Sequence, residues 1–329
     1  MRAIYLDCFS GISGDMTLAA LADAGADMDY VVRELQKLPL DPYELKQYTV
    51  NKRGITAVKV DVELSKEHPP VHHRHYRDIV HMIQAAEFNP EVERHALSIF
   101  EKIGIAEGKI HGLSLDKVHF HEVGAVDSIV DAVGVALALH TLQVEAVISS
   151  PIPTGYGFVR CDHGLYPVPA PATLEMLKGI PIAHTVHRSE LTTPTGAGIV
   201  SALVSHFLAS IPSMKIEKIG YGAGSRDLPD QPNVLRVLIG ELSKNELDRC
   251  VHREQHHLQH SHHHGHTHGH GNHHHDHGHS HEHDHDHEHN HHHDHEHHDH
   301  SHSHEHHEHH HESSDEGSGH DHHHHDHDK

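Results

Sequence analysis

Apolar positions recur with two different periods along residues 1–242, and those periods sort the chain into strands and helices. Val58, Val60, Val62 and Leu64 alternate strictly with other residues, as in a half-buried strand. Residues 43–51 precede them across Asn51-Lys52-Arg53-Gly54, which predicts a hairpin. Residues 3–6 form a short apolar strand running into a Gly/Ser loop, 7–15, and a helix, 16–24, closed by Gly25. Helical spacing returns at Ile79, Val80 and Ile83, and over 91–104, where Val92, Ala96, Ile99, Phe100 and Ile103 share a face. Residues 123–139 predict an apolar helix rich in small residues, and 144–149 a buried strand. With five prolines and three glycines, 151–171 reads as an irregular loop. A short helix follows at 173–177. Thr193 and Pro194 make a cap and first-position pair for a helix running to Phe207. Strands at 216–221 and 234–242 complete a mixed α/β globular body over 1–242.

Composition changes abruptly after that body. Residues 243–255 read as a linker, and 256–329 as a tail of His, Asp, Glu, Gly and Ser. Such a segment cannot bury enough apolar surface to fold, so it is expected to be disordered. Residues 246–329 hold 40 of the 54 histidines and −16 of the net charge of −23. No basic patch points to nucleic acid. The longest apolar run, 132–139, is far shorter than the ~20 residues of a membrane helix. Three widely separated cysteines, Cys8, Cys161 and Cys250, fit no disulfide framework. Asp7 interrupts any signal-peptide core. Together these predict a cytoplasmic protein that engages neither nucleic acid nor membrane.

Candidate chemistry centres on His119-Phe120-His121-Glu122, three potential metal ligands in four residues. In extended backbone His119 and His121 point the same way and could share a nitrogen-favouring cation. An isolated pair of this kind is also common as ordinary half-buried strand sequence. The histidine tail tips the reading toward metal, because two unrelated features then suggest one chemistry. Asp127 and Asp131 share a face of the following helix, with Asp127 in its first turn. His163, beside Asp162 in the long loop, is a further candidate ligand. The histidines at 72, 73 and 75 with Arg74 suit metal or phosphate, or simply a solvated loop, and Glu190 is a candidate ligand or base. The loop holding Ser10, Gly11, Ser13, Gly14 and Asp15 sits between strand and helix, where backbone N–H groups can meet an anion. Arg226 beside Gly222 and Gly224 offers a planar fork for phosphate. In the tail, His262, His264, His266, His268 and His270, with His281, His283, His285, His287 and His289, form repeated His-Xaa-His units suited to a metal reservoir.

Several motifs occur together: Asp7-Cys-Phe-Ser-Gly-Ile-Ser-Gly-Asp-Met16, Val118-His-Phe-His-Glu-Val-Gly-Ala-Val-Asp-Ser128, Pro167-Val-Pro-Ala-Pro171, Glu190-Leu-Thr-Thr-Pro-Thr-Gly196 and Gly220-Tyr-Gly-Ala-Gly224. In this combination the chain resembles the LarC family over about residues 1–242. The resemblance implies a CTP-dependent, lyase-type nickel cyclometallase. Such a protein places Ni(II) in a pyridinium bis-thiocarboxylate mononucleotide through two Ni–S bonds and one Ni–C bond, for a lactate racemase-type apoenzyme. Glu122 or His121 would then take the ring proton. His119, His121, Asp127 and His163 would hold nickel, and the Ser10–Asp15 loop with Arg226 would hold the substrate phosphate in the same cleft. Full-length members continue into a domain credited with CTP binding. A separately encoded C-terminal partner is therefore expected, with the CTP site outside this chain. A nickel store or metallochaperone and a metal-dependent hydrolase are the competing readings.

Overall fold

The computed structural model describes residues 1–65, 74–120 and 123–251. His121, Glu122 and the entire histidine reservoir lie outside the described residues. The chain divides into the units Met1–His266 and Thr267–Lys329, and every described residue belongs to the first.

The first half comprises β1 (Arg2–Asp7), α1 (Gly14–Asp23), α2 (Met28–Leu35), β2 (Tyr43–Lys52), β3 (Ile55–Leu64), β4 (Arg74–His75), α3 (Tyr76–Ala85), α4 (Pro90–His111) and β5 (His119–Phe120). The second comprises α5 (Val126–Thr141), β6 (Ala146–Ser149), β7 (Ile152–Pro153), β8 (Gly157–Cys161), β9 (Gly164–Val168), α6 (Pro171–Met176), β10 (Ile182–Ala183), α7 (Pro194–Leu203), β11 (Val204–Phe207), β12 (Lys215–Ala223) and β13 (Val234–Glu241). Seven strands form a mixed sheet in the order β11-β6-β1-β13-β12-β3-β2. The expected mixed α/β body is thus observed.

Alternation along β1 shows why this sheet is buried on both faces. Ile4 and Leu6 join Val237 and Ile239 of β13 in the main core, with Leu18 of α1, Phe100 of α4, Val133 of α5 and Val200 of α7. Ala3 and Tyr5 point the other way, into a smaller cluster with Ile148, Leu208 and Leu238. Full burial of a side chain such as Phe100 contributes roughly 1.5–3 kcal/mol, so the helices are held on the sheet by their apolar faces. Helix α1 lies directly on β12. A Cβ added at Gly222 would sit 1.9 Å from the Met16 carbonyl oxygen, and one at Gly220 would sit 2.1 Å from that of Ala20.

Four boundaries differ from the sequence expectation. Helix α4 passes through Gly104 to His111 and ends on left-handed Gly112 at φ 67°. Gly104 is there for packing, since a Cβ would meet Leu115 at 2.6 Å. The segment 151–171 contains a regular hairpin, β8–β9, in which Cys161 pairs with Gly164 across the turn Asp162-His163. Helix α7 stops at Leu203, and β11 continues without a connecting loop to pair parallel with β6. Finally, residues 244–251, assigned to the linker, are helical, and Leu247 is buried against the smaller cluster.

Candidate functional site

The N-termini of three helices meet at one polar cleft of about 480 Å3, lined by Ser13 and Gly14 of α1, Asp127 and Ser128 of α5, and Thr193 and Thr195 of α7. Ser13 caps α1 and Thr193 caps α7, the latter accepting from the Gly196 amide at 3.2 Å. A backbone bridge joins the two caps: Ile12 N–H donates to the Leu191 carbonyl at 3.1 Å, and Thr193 N–H to the Ile12 carbonyl at 3.1 Å. Gly11 and Gly196 permit that approach. A Cβ at Gly196 would lie 2.1 Å from the Ile12 carbonyl oxygen.

Lys59 is the cation of this cleft, and sequence reasoning missed it. Its side chain is only 8% exposed, with Nζ 2.6 Å from Asp15 Oδ2 and 3.2 Å from Asp61 Oδ1. Burial works to lower its pKa, but the Asp15 and Asp61 carboxylates outweigh burial and raise it. Ser13 Oγ donates to the other oxygen of Asp15. Asp61 is held below the ordinary carboxyl range: burial opposes this, while the Tyr48 hydroxyl and Lys59 bring it about. Asp131 behaves oppositely. The residue as a whole is half-buried, but its carboxyl is packed against Gly14. Burial, then the charges of Asp15 and Asp127, push it well above the ordinary range against the pull of Lys59. A group so placed keeps its proton to higher pH than an ordinary carboxyl.

The proposed phosphate groups largely have other partners. Ser10 Oγ donates to the Pro232 carbonyl at 2.7 Å and accepts from Gln231 Nε2 at 3.1 Å. Gly11 N–H donates to the Cys8 carbonyl at 2.8 Å. Arg226 directs its guanidinium to the Glu190 carbonyl at 2.7 Å and to Ser189 Oγ at 3.1 Å. Gly222 belongs to β12 and serves the contact with α1. Only Ser13, Gly14 and Asp15 of the first loop, and Ser225 of the second, line the cleft. Five carboxyls (Asp15, Asp61, Glu63, Asp127 and Asp131) face one lysine there. That balance favours a divalent cation, or a phosphate already carrying one, over a bare phosphate.

The proposed metal ligands are separated. His119 lies in β5, directly across from His75 in β4, with ring centroids 4.6 Å apart. Asp127 lines the three-helix cleft, its Oδ1 accepting from the Ser128 amide at 2.8 Å. His163 occupies the β8–β9 turn, 4.8 Å from the His111 ring at the end of α4. Among the described residues no three His, Cys, Asp or Glu side chains converge as a metal site. Among the described residues, His119, Asp127 and His163 therefore do not form one ligand set, and His121, expected with them, lies outside those residues. The fold builds two imidazole pairs instead. Two rings sharing one ion at about 2.0–2.1 Å, with an angle between tetrahedral and square, have centroids roughly 4.5–5.2 Å apart, and both pairs fall in that interval. Arg74 steadies the first pair by bonding Asp41 at 2.7 Å and the Gly124 carbonyl at 2.8 Å. Cys8 is fully buried, and burial, with help from Asp7, pushes its thiol up to about 12.

Paired imidazoles and a carboxylate-rich cleft are donors of the kinds that suit borderline divalent metal ions. Comparison with known sequences agrees. Residues 4–264 match the family described as nickel insertion protein, and the chain belongs to that family. Over 248 residues it is 55% identical to the pyridinium-3,5-bisthiocarboxylic acid mononucleotide nickel insertion protein of Geobacillus kaustophilus, covering 73% of this chain and 60% of that protein. Proteins of the same name from Staphylococcus epidermidis and Desulfitobacterium hafniense are 50% and 49% identical, each covering 75% of this chain and 61% and 60% of the relative. The chain thus spans about three fifths of the length of these relatives. No solved structure matches it. Among the described residues no helix is long and apolar enough to cross a membrane.

Proposed function

We propose that this chain takes part in inserting nickel into pyridinium-3,5-bisthiocarboxylic acid mononucleotide, forming a nickel-pincer cofactor for a lactate racemase-type apoenzyme. The observation that carries the reading is the His75–His119 pair, which lies within the family match and supplies two neutral-nitrogen donors for a borderline cation. The acidic cleft would raise the local concentration of Ni(II), since a lining of one charge sign focuses counter-ions. Ni(II) is the cargo: it arrives with nitrogen and oxygen donors and leaves bound to two sulfurs and one ring carbon. The Ni–C bond forms as the C–H bond breaks, so a base must accept that proton. His121 or Glu122 is the proposed base, on the chemistry of those side chains and their place next to His119 in sequence. Asp131 is less suited to that step, because burial makes it keep its proton to higher pH than an ordinary carboxyl. CTP use, a lyase-type cyclometallase classification, and a separately encoded C-terminal domain carrying the CTP site belong to the same proposal and rest on the family resemblance.

The test is nickel incorporation into the mononucleotide by the full chain, with CTP and the separately expressed C-terminal domain supplied. His75→Ala and His119→Ala should each abolish insertion while sparing mononucleotide binding. A variant lacking 256–329 should bind fewer nickel ions yet still insert at saturating nickel, because a reservoir sets supply and not geometry. Wild-type insertion by His75→Ala would overturn the assignment of the pair.

A further inference from the structure

A second place in the fold gathers metal-binding side chains, in a pocket that Phe120 and Val123 of the His119 stretch also line. It lies where the last turn of α4 meets the tip of the β8–β9 hairpin. The pocket there is about 50 Å3 and is lined by His111 and Glu107 of α4, Cys161 and His163 of the hairpin, and Thr173 of α6. That volume is too small for a nucleotide or a substituted aromatic ring, but it accommodates a small ion with a few waters.

Three observations bear on what it takes. The His111 and His163 rings approach to 4.8 Å between centroids from positions 52 residues apart in sequence, within the spacing of two imidazoles on one ion. His111 Nε2 lies 3.2 Å from Glu107 Oε2, one helical turn earlier, so a carboxylate fixes that ring. Most tellingly, Thr173 is 0% exposed, and its Oγ1 has no hydrogen-bond partner among the described residues. An orphaned buried hydroxyl costs about 1–3 kcal/mol unless something fills the pocket and bonds it. Water in the pocket, ordered by an ion at its mouth, would satisfy it.

We propose that His111 and His163 form a second site for a borderline divalent metal ion, with water completing its coordination and reaching Thr173. Two protein nitrogens with exchangeable waters suit a transient site rather than a structural one, since structural sites are closed by four protein ligands. His111 ends α4 and His163 sits in the β8–β9 turn, so occupancy would also tie the hairpin tip to the helix.

The tail would obscure a simple count of bound metal, so the test uses a reporter the tail lacks. Cys161 lines this pocket, whereas Cys250 packs by the smaller core cluster. Alkylation of each cysteine in the full chain would be followed by peptide mass spectrometry at buffered free Ni(II), up to concentrations beyond tail saturation. Ni(II) should slow alkylation of Cys161 at least fivefold and leave Cys250 unchanged. His111→Gln and His163→Gln, both surface changes, should each restore the metal-free rate at Cys161. Equal rates with and without saturating Ni(II), or protection that survives both substitutions, would overturn the site. Neither result bears on insertion, which is read separately from product formed.

Discussion

Replacing Asp131 by Asn keeps the side-chain shape and removes the carboxyl of the cleft whose pKa burial and its acidic neighbours raise. Because its folded-state pKa lies well above the ordinary range, the native protein keeps a proton that the unfolded chain has already released. Stability should therefore fall as pH rises from the unfolded pKa toward the folded one, by at most about 1.4 kcal/mol per pH unit for one proton. The Asn variant has no such slope. Below the unfolded pKa the two proteins should differ only by a constant. For each pH unit inside the window, Asp131→Asn should gain up to about 1.4 kcal/mol on wild type. At roughly 2–4 °C per kcal/mol for a unit of this size, the Tm difference should widen by about 3–6 °C per pH unit. Thermal unfolding followed by circular dichroism from pH 4 to 8 at constant ionic strength reads this directly. The tail histidines titrate in both proteins and cancel in the difference. Parallel pH profiles, or a variant that loses ground as pH rises, would refute the account of the cleft.

Lys59→Met should destabilise by about 1–3 kcal/mol at pH 7: removing one member of a buried ion pair costs about 3–5 kcal/mol, but Asp15 and Asp61 retain enough solvent to lessen that. Asp61 is depressed in the fold, so its share is present above the unfolded carboxyl pKa and lost as pH falls through the folded one. The deficit should accordingly shrink in acid, and denaturant titrations at pH 7 and pH 3.5 compare the two. Gly222→Ala should cost about 3 kcal/mol or more in urea unfolding, because the new methyl would meet the Met16 carbonyl oxygen at 1.9 Å and backbone cannot rotate away. A Gly222→Ala protein of wild-type stability would show that α1 does not rest on β12.

The elements that could be read from sequence were those whose periodicity coincides with burial. The alternation at Val58, Val60 and Val62 and the one-sided face of α4 both correspond to contacts with the core. The β8–β9 hairpin was hidden for the opposite reason. It pairs only with itself, and Phe158 is 66% exposed, so its alternation has no core to report. The end of α7 was hidden because Val204 and Phe207 continue an apolar run in which a helix and a buried strand look alike. At the candidate site, residue type pointed to metal, but partners were set by register. His119 meets His75, 44 positions earlier, only because β4 and β5 pair as they do. Lys59 was passed over because alternation assigns it to the solvent side between Val58 and Val60. A lysine in the wholly buried middle of a strand, with aspartates at 15 and 61 to meet it, was the available signal.

The first turn of α7 has neighbours on two sides. Thr193 and Thr195 belong to the acidic cleft, while Pro194 between them belongs to the small pocket by His163. The two compartments are thus separated by a septum one residue thick. It is also a stiff septum, riveted at Gly196 to the carbonyl of Ile12, with no side chain to absorb a shift. A displacement of Pro194 in the small pocket would act first on Thr193 and Thr195, its chain neighbours in the cleft. A bulkier or more flexible residue at position 194 would disturb both compartments together, whereas a change at His111 or His163 would touch the small pocket alone.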